Sequence, residues 1–186
     1  MTLAVLRAGP WRDQLGLVTA AALLGVVGRL LDGGVGVRAV QLGCVLVGAA
    51  AALSLDEPSA EVVDACAVSL RRRTVVRLLA MALGLLVVAG TWSLLGAGPV
   101  TLVELTGTAL LAAGVASLLR RSVAEPGDLV AAPLVMVLGS LVLIEELGHR
   151  IPLYPLGPTP ERTYWLWGAL SAAALASVAG CTRSSR

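Results

Sequence analysis

Charge is scarce in this chain. Asp, Glu, Lys and Arg make up 14% of its 186 residues, where an ordinary soluble domain carries about 25%. Hydrophobic residues reach 57%, above the about 45–50% usual for such domains, and the mean hydropathy is +0.87. A soluble globular fold is excluded. Histidine is reduced to His149, and there is no Gly-rich phosphate loop, no Gly-x-Ser-x-Gly elbow and no paired Cys or His spacing of the kind that binds zinc or haem. An enzyme acting alone is therefore not expected, nor a cofactor or metal bound by this chain. Nothing resembles a Walker motif and no loop is large enough to hold one, so ATP and Mg would have to sit on a partner subunit. Lys, Asn and Phe are absent, and Ile occurs only at Ile144 and Ile151, while Ala, Gly, Arg, Val and Leu abound. The missing residues are those with AT-rich codons. This pattern points to a GC-rich bacterial genome and, with no organelle signal visible, to the bacterial cytoplasmic membrane.

The abundant residues fall in long apolar runs, and six of these reach the roughly 17 to 25 residues a helix needs to cross a hydrocarbon core. They are Leu15 to Leu31, Val37 to Leu55, Thr74 to Leu95, Val100 to Leu119, Asp128 to Leu147 and Thr163 to Cys181. The expected fold is all-α, a polytopic membrane bundle of about six transmembrane helices. It forms one domain over residues 1–186, because the longest stretch between spans, Asp56 to Arg73, is far short of the about 50 residues a soluble domain needs. Every basic residue apart from His149 is Arg. With the N-terminus inside, the inner side holds Arg7, Arg12, Arg71, Arg72, Arg73, Arg77, Arg120, Arg121, Arg183 and Arg186, against Arg29, Arg38, Arg150 and Arg162 outside. Short cytoplasmic loops carry the positive excess, so both termini are expected in the cytoplasm. Trp11 then lies at the inner interface, and Trp92, Tyr154, Tyr164, Trp165 and Trp167 near the outer one, as an aromatic belt requires. The first apolar run is too long for a secretory signal, and its small residues Ala20 to Ala22 lie inside it, so it reads as an uncleaved span. Cys44, Cys66 and Cys181 all fall within spans or on the inner side, and no structural disulfide is expected.

The loop after the second span carries the most information. Asp56 can cap a helix whose first turn tolerates Pro58. At helical spacing Val62, Val63, Cys66 and Leu70 share one face, while Glu57, Glu61, Asp64 and Arg72 share the other. An amphipathic inner helix over 57–70 is predicted, with acid first and Arg71 to Arg73 last, as suits the helix dipole. A basic cluster beside a span also serves as a topology signal at the lipid surface. An acidic face gains nothing from anionic lipid, which favours a protein partner.

The order Leu55-Asp56-Glu57-Pro58-Ser59-Ala60, about ten helical residues, Ser69-Leu70-Arg71-Arg72-Arg73 and then Val76-Arg77-Leu78-Leu79 resembles the small six-span permease subunits of actinobacterial ABC transporters. The specific likeness covers roughly residues 50 to 80. It implies a permease of exporter type whose first inner loop is a coupling helix that docks on a separate ATPase subunit. Asp56, Glu57, Pro58, Glu61, Asp64, Arg71 and Arg72 would make that contact. It further implies a second permease, identical or related, since six spans form half of a usual pathway. No nucleic-acid partner is expected. The alternative from a different class is a non-transporting structural or assembly subunit of a larger membrane complex.

Ionisable residues at membrane depth usually face a bundle interior or a cavity. Glu104 stands with Thr101 and Thr108 on one face of the fourth span, and this polar stripe is a candidate pathway. The bland reading leaves Glu104 near the outer end, reaching water, with the threonines bonded to their own backbone. Arg29 and Asp32, three apart, are placed to pair. Glu145, Glu146, His149 and Arg150 end the fifth span and are gate candidates; the prolines from Pro152 to Pro160 exclude a regular helix after them. Pro133 should bend the fifth span, and Gly168, Ala172, Ala176 and Gly180 form a small-residue stripe that permits close helix approach.

Overall fold

The computed structural model describes residues 11–31, 33–56, 70–120, 123, 125–143, 168 and 170–176. Five helices carry the fold: α1 (Trp11–Leu30), α2 (Gly34–Leu53), α3 (Leu70–Leu94), α4 (Pro99–Leu119) and α5 (Pro126–Leu143). Each is long and apolar enough to cross a membrane. The chain is thus a helical membrane protein, and among the described residues there is no strand. Residues 168 and 170–176, within the expected sixth span, are helical. The predicted helix at 57–70 lies outside the described residues, except that Leu70 opens α3.

Local chemistry sets the helix ends. Asp13 and Arg29 lie in the first and last turns of α1, where they complement the dipole. Pro99 opens α4, a position where its missing N–H is no loss. Between α3 and α4, Gly96 takes φ 80, the left-handed conformation only glycine adopts readily. Ala97 N–H then donates to Trp92 O at 2.9 Å and Gly96 N–H to Ser93 O at 3.0 Å. These two bonds form a Schellman cap, and they fix Trp92 in the last turn of α3.

Chain direction alternates from helix to helix, and α2 is the centre, packed against α1, α4 and α5. Twelve of its twenty residues are buried, from Gly36 through the run Ala49 to Ala52. Small side chains allow this close approach, which in lipid replaces the hydrophobic drive available in water. Where α1 crosses α2, a methyl on Gly28 would stand 2.8 Å from Gly36 O. By contrast α1, α3 and α5 turn large residues outward, among them Leu23, Leu83, Leu86 and Met136. Hydrocarbon can cover these at no penalty. Pro133 lies inside α5.

One placement differs from the sequence expectation. Trp92 is not at a lipid-facing belt: it is 1% exposed and its indole fills a slot between α1 and α2. The slot exists because Gly25 and Gly43 face it without side chains; a Cβ on Gly43 would stand 2.8 Å from the Trp92 ring. The small-residue stripe of the last span, as far as it is described, turns outward at Gly168, Ala172 and Ala176. Among the described residues this helix meets the bundle through Ala174, against Gly114 of α4, and through Leu170, against the cluster of Val45, Leu138, Leu141 and Val142. Asp32, the expected partner of Arg29, lies outside the described residues.

Candidate functional site

The two turns that join α1 to α2 and α3 to α4 lie at one end of the bundle. Below them is a cavity of about 300 Å³, walled by α1, α2, α3 and α4. Its size is at the low end of small-molecule sites, about 300–1,000 Å³. Three of its side chains are polar and almost wholly enclosed: Glu104 is 4% exposed, Gln41 2% and Trp92 1%. Glu104 Oε1, Gln41 Oε1 and Trp92 Nε1 each lack a hydrogen-bond partner among the described residues. All three residues, on three different helices, line the cavity, while the unsatisfied atoms themselves are enclosed by protein. Leaving a buried polar group unsatisfied costs about 1–3 kcal/mol, so each of these atoms is a cost that the described residues do not offset.

The rest of the wall is mixed. Thr101 and Arg29 add a hydroxyl and a guanidinium, while Val40 and Val100 are apolar. Arg29 lies at the rim against Gly96, where a methyl would stand 3.4 Å from its Nη2. The stripe predicted in the fourth span is therefore divided. Thr101 and Glu104 line the cavity, whereas Thr108 is fully buried and its Oγ1 donates to Glu104 O at 2.7 Å within the helix. That bond is the backbone pairing available to any helical threonine. Sequence reasoning found Glu104 but not Gln41. The signal was a lone amide in an otherwise apolar second span.

The opposite end holds a polar clamp. Asp56 follows α2, is 4% exposed, and its Oδ1 accepts from Gly127 N–H at 2.5 Å. It thus caps α5 from seventy-one residues away. Arg77 of α3, also buried, donates through Nη1 to Asp56 O. Arg120, just past α4, donates to Thr74 Oγ1 at 2.8 Å. The ends of α2, α3, α4 and α5 are tied together here. Burial pushes the Asp56 carboxyl up from 3.8 to about 6; the charges of Asp128 and Glu125 add to the rise, and the backbone N–H groups of Gly127 and Asp128 oppose it.

Of the expected docking residues, Asp56 is thus buried within this clamp. Arg71 and Arg72 belong to the first turn of α3. Glu57, Pro58, Glu61 and Asp64 lie outside the described residues, as do the gate candidates Glu145, Glu146, His149 and Arg150. Among the described residues no cluster of His, Cys, Asp or Glu is placed to hold a metal ion. No known protein family, characterised protein or solved structure matches the chain.

Proposed function

We propose that this chain is the permease subunit of an ATP-driven transporter of exporter type, with ATP hydrolysed on Mg by a separate subunit. A second permease, identical or related, completes the path. One observation carries the reading: a polar cavity built around buried Glu104, between four membrane-spanning helices. A bundle that serves only as scaffold gains nothing from orphan polar groups at membrane depth, since each weakens it. The clamp adds support. Segment 57–69 departs at Asp56 and returns at Leu70, and Arg77 of α3 is bonded to Asp56. A push on that segment therefore reaches α2, α3 and α5 together, as a coupling element requires. In the orientation argued from the arginines, the clamp faces the cytoplasm of a bacterium and the cavity opens outward.

The test is purification in mild detergent, followed by an assay for a co-purifying subunit that hydrolyses Mg-ATP. Glu61→Arg with Asp64→Arg should strip that subunit while leaving membrane insertion intact. Removing one member of a buried charge contact typically costs about 2–5 kcal/mol, and about 1.4 kcal/mol is tenfold in affinity, so the loss should be plain. If the unaltered chain brings down no ATPase, the reading fails and the structural-subunit alternative replaces it.

A further inference from the structure

We infer that the mouth of the cavity holds the headgroup of an anionic phospholipid whose phosphate is esterified to a polyol, with the phosphate at the rim beside Arg29 and the headgroup hydroxyls inside. The positive side of the site has three sources. Arg29 is exposed at the rim, with no hydrogen bond or ion pair among the described residues. Both α2 and α4 begin at this end, after Gly33 and Gly98, with no side-chain cap and no acid in the first turn, whereas Asp13 and Asp128 stand in the first turns of α1 and α5. Val37 of α2 and Thr101 of α4 line the cavity, so two helix ends, each equivalent to roughly +0.5 charge, border one opening. Inside, the enclosed Oε1 atoms play no part. The other polar side-chain atoms of the same residues, Glu104 Oε2 and Gln41 Nε2, also lack a hydrogen-bond partner among the described residues, but they are not enclosed. Thr101 Oγ1 is likewise unpartnered, although Thr91, Thr106 and Thr108 each bond their own helix. A hydroxyl donates to a carboxylate oxygen and accepts from an amide in one group, so a polyol answers the open acceptor and the open donor together. A simple cation meets the Gln41 amide and the Arg29 guanidinium instead. A bare phosphate drawn inside meets Glu104, three residues and about 4.5 Å deeper than Thr101. A phosphodiester with hydroxyls beyond it keeps its charge at the rim. The acyl chains have their own surface at the same end, where Leu30 is 77% and Val35 62% exposed. Val37 both lines the cavity and is 50% exposed, so the cavity wall is continuous with the lipid-facing surface.

Native mass spectrometry of the full chain in a polyoxyethylene detergent counts bound lipid directly. Four probes separate the parts of the ligand: dioleoyl phosphatidylglycerol; dioleoyl phosphatidylethanol, which keeps the phosphodiester but has no hydroxyls; glucosyl dioleoylglycerol, which has hydroxyls but no phosphate; and glycerophosphoglycerol, the headgroup without acyl chains. One phosphatidylglycerol should bind per chain, at least tenfold more tightly than each of the other three. Equal binding of phosphatidylethanol or of the glucolipid overturns the inference, because the hydroxyls or the phosphate then contribute nothing. Equal binding of glycerophosphoglycerol overturns the lipid and makes the ligand a soluble phosphodiester. Arg29→Gln should weaken phosphatidylglycerol at least tenfold and leave the glucolipid unaffected. Gln41→Leu should bring phosphatidylglycerol to the level of phosphatidylethanol, with the melting temperature kept within a few degrees. Should Gln41→Leu fail to fold, Thr101→Val carries the same test of the hydroxyl half. Unchanged phosphatidylglycerol binding in Arg29→Gln or in the hydroxyl-half variant overturns the site. None of these results bears on ATPase co-purification, so this inference and the transport reading fail separately.

Discussion

Replacing Asp56 separates two effects of one carboxyl group. Its Oδ1 holds the start of α5 through Gly127 N–H, yet burial raises it from 3.8 to about 6. An acid raised in the folded state keeps its proton longer folded than unfolded. Stability from this group is therefore greatest below about pH 4 and falls as the pH rises to about 6. At about 1.4 kcal/mol for each tenfold change in proton affinity, the ionised fold is weakened by about 3 kcal/mol at most. The group stands at the end of the bundle, where water screens its field, so about 1–2 kcal/mol is expected. Asp56→Asn keeps an oxygen for Gly127 N–H and deletes the charge. It should be more stable than the unaltered chain at pH 7.5 by about 1–2 kcal/mol, and should lose the decline between pH 4 and 6. Asp56→Ala also deletes the charge but removes the cap, so it should fall below Asp56→Asn by about 0.5–2 kcal/mol. Thermal unfolding in detergent, followed by circular dichroism from pH 4 to 8, measures all three. If Asp56→Asn melts lower than the unaltered chain at pH 7.5, the charge itself holds α5 and the desolvation argument is refuted.

Gly43→Leu drives a side chain into the Trp92 ring; overpacking of this kind costs about 1–3 kcal/mol, and Trp92→Ala in the same chain should recover part of the loss in melting temperature. Arg77→Ala leaves Asp56 O without its charged donor and should destabilise by about 1.5–3 kcal/mol, read by the same unfolding assay. Topology is tested in intact cells with Cys44, Cys66 and Cys181 replaced: single cysteines at Ser59, Ser122 and Ser184 should be shielded from an impermeant thiol reagent, and one at Thr159 labelled. Labelling at Ser122 but not at Thr159 reverses the orientation.

The helices were legible because apolar run length is a direct reading of hydrocarbon thickness. Their starts were less so. Hydropathy placed the first and third spans at Leu15 and Thr74, whereas α1 and α3 begin at Trp11 and Leu70. A helix continues through polar residues as long as its backbone is bonded, so hydropathy marks the membrane and not the helix. Glu104 stood out because a carboxylate in an apolar run is conspicuous on its own. Gln41 and Trp92 become part of its site only through packing of α2 and α3 against α4, and no local pattern records that. Trp92 misled for a physical reason: a tryptophan near a helix end fits an interfacial belt, and only the glycines at 25 and 43, on α1 and α2, make room for it inside. Asp56 shows the same limit. Capping rules read along the chain assign it to the segment that follows, but Gly127 is the backbone donor that the fold brings to it.

The anchoring of α3 connects these two ends. Its buried or half-buried stripe runs Thr74, Leu78, Met81, Leu85, Val88 and Trp92, a 4-3 alternation suited to a narrow helix seam. Met81 and Leu85 pack against the core cluster that holds Ala21, Cys44, Val47 and Val88, and a crevice of about 90 Å³ lies beside Met81, Gly84 and Leu85. The middle of α3 is therefore held by apolar contact alone. In lipid, apolar side chains that leave such a seam exchange protein contact for acyl chains at little loss. The specific anchors of α3 are at its ends: Arg77 on Asp56 O and Thr74 under Arg120 at one end, and Trp92 in its glycine slot at the other. Fifteen residues separate Arg77 from Trp92, about 22 Å at 1.5 Å per residue, and a helix of that length moves as a rod. A displacement of α3 large enough to withdraw Trp92 from the cavity must strain the Arg77 contact as well. The cavity and the clamp are thus two ends of one element, and a force applied to the segment between α2 and α3 has a direct mechanical route to the wall that Trp92 forms.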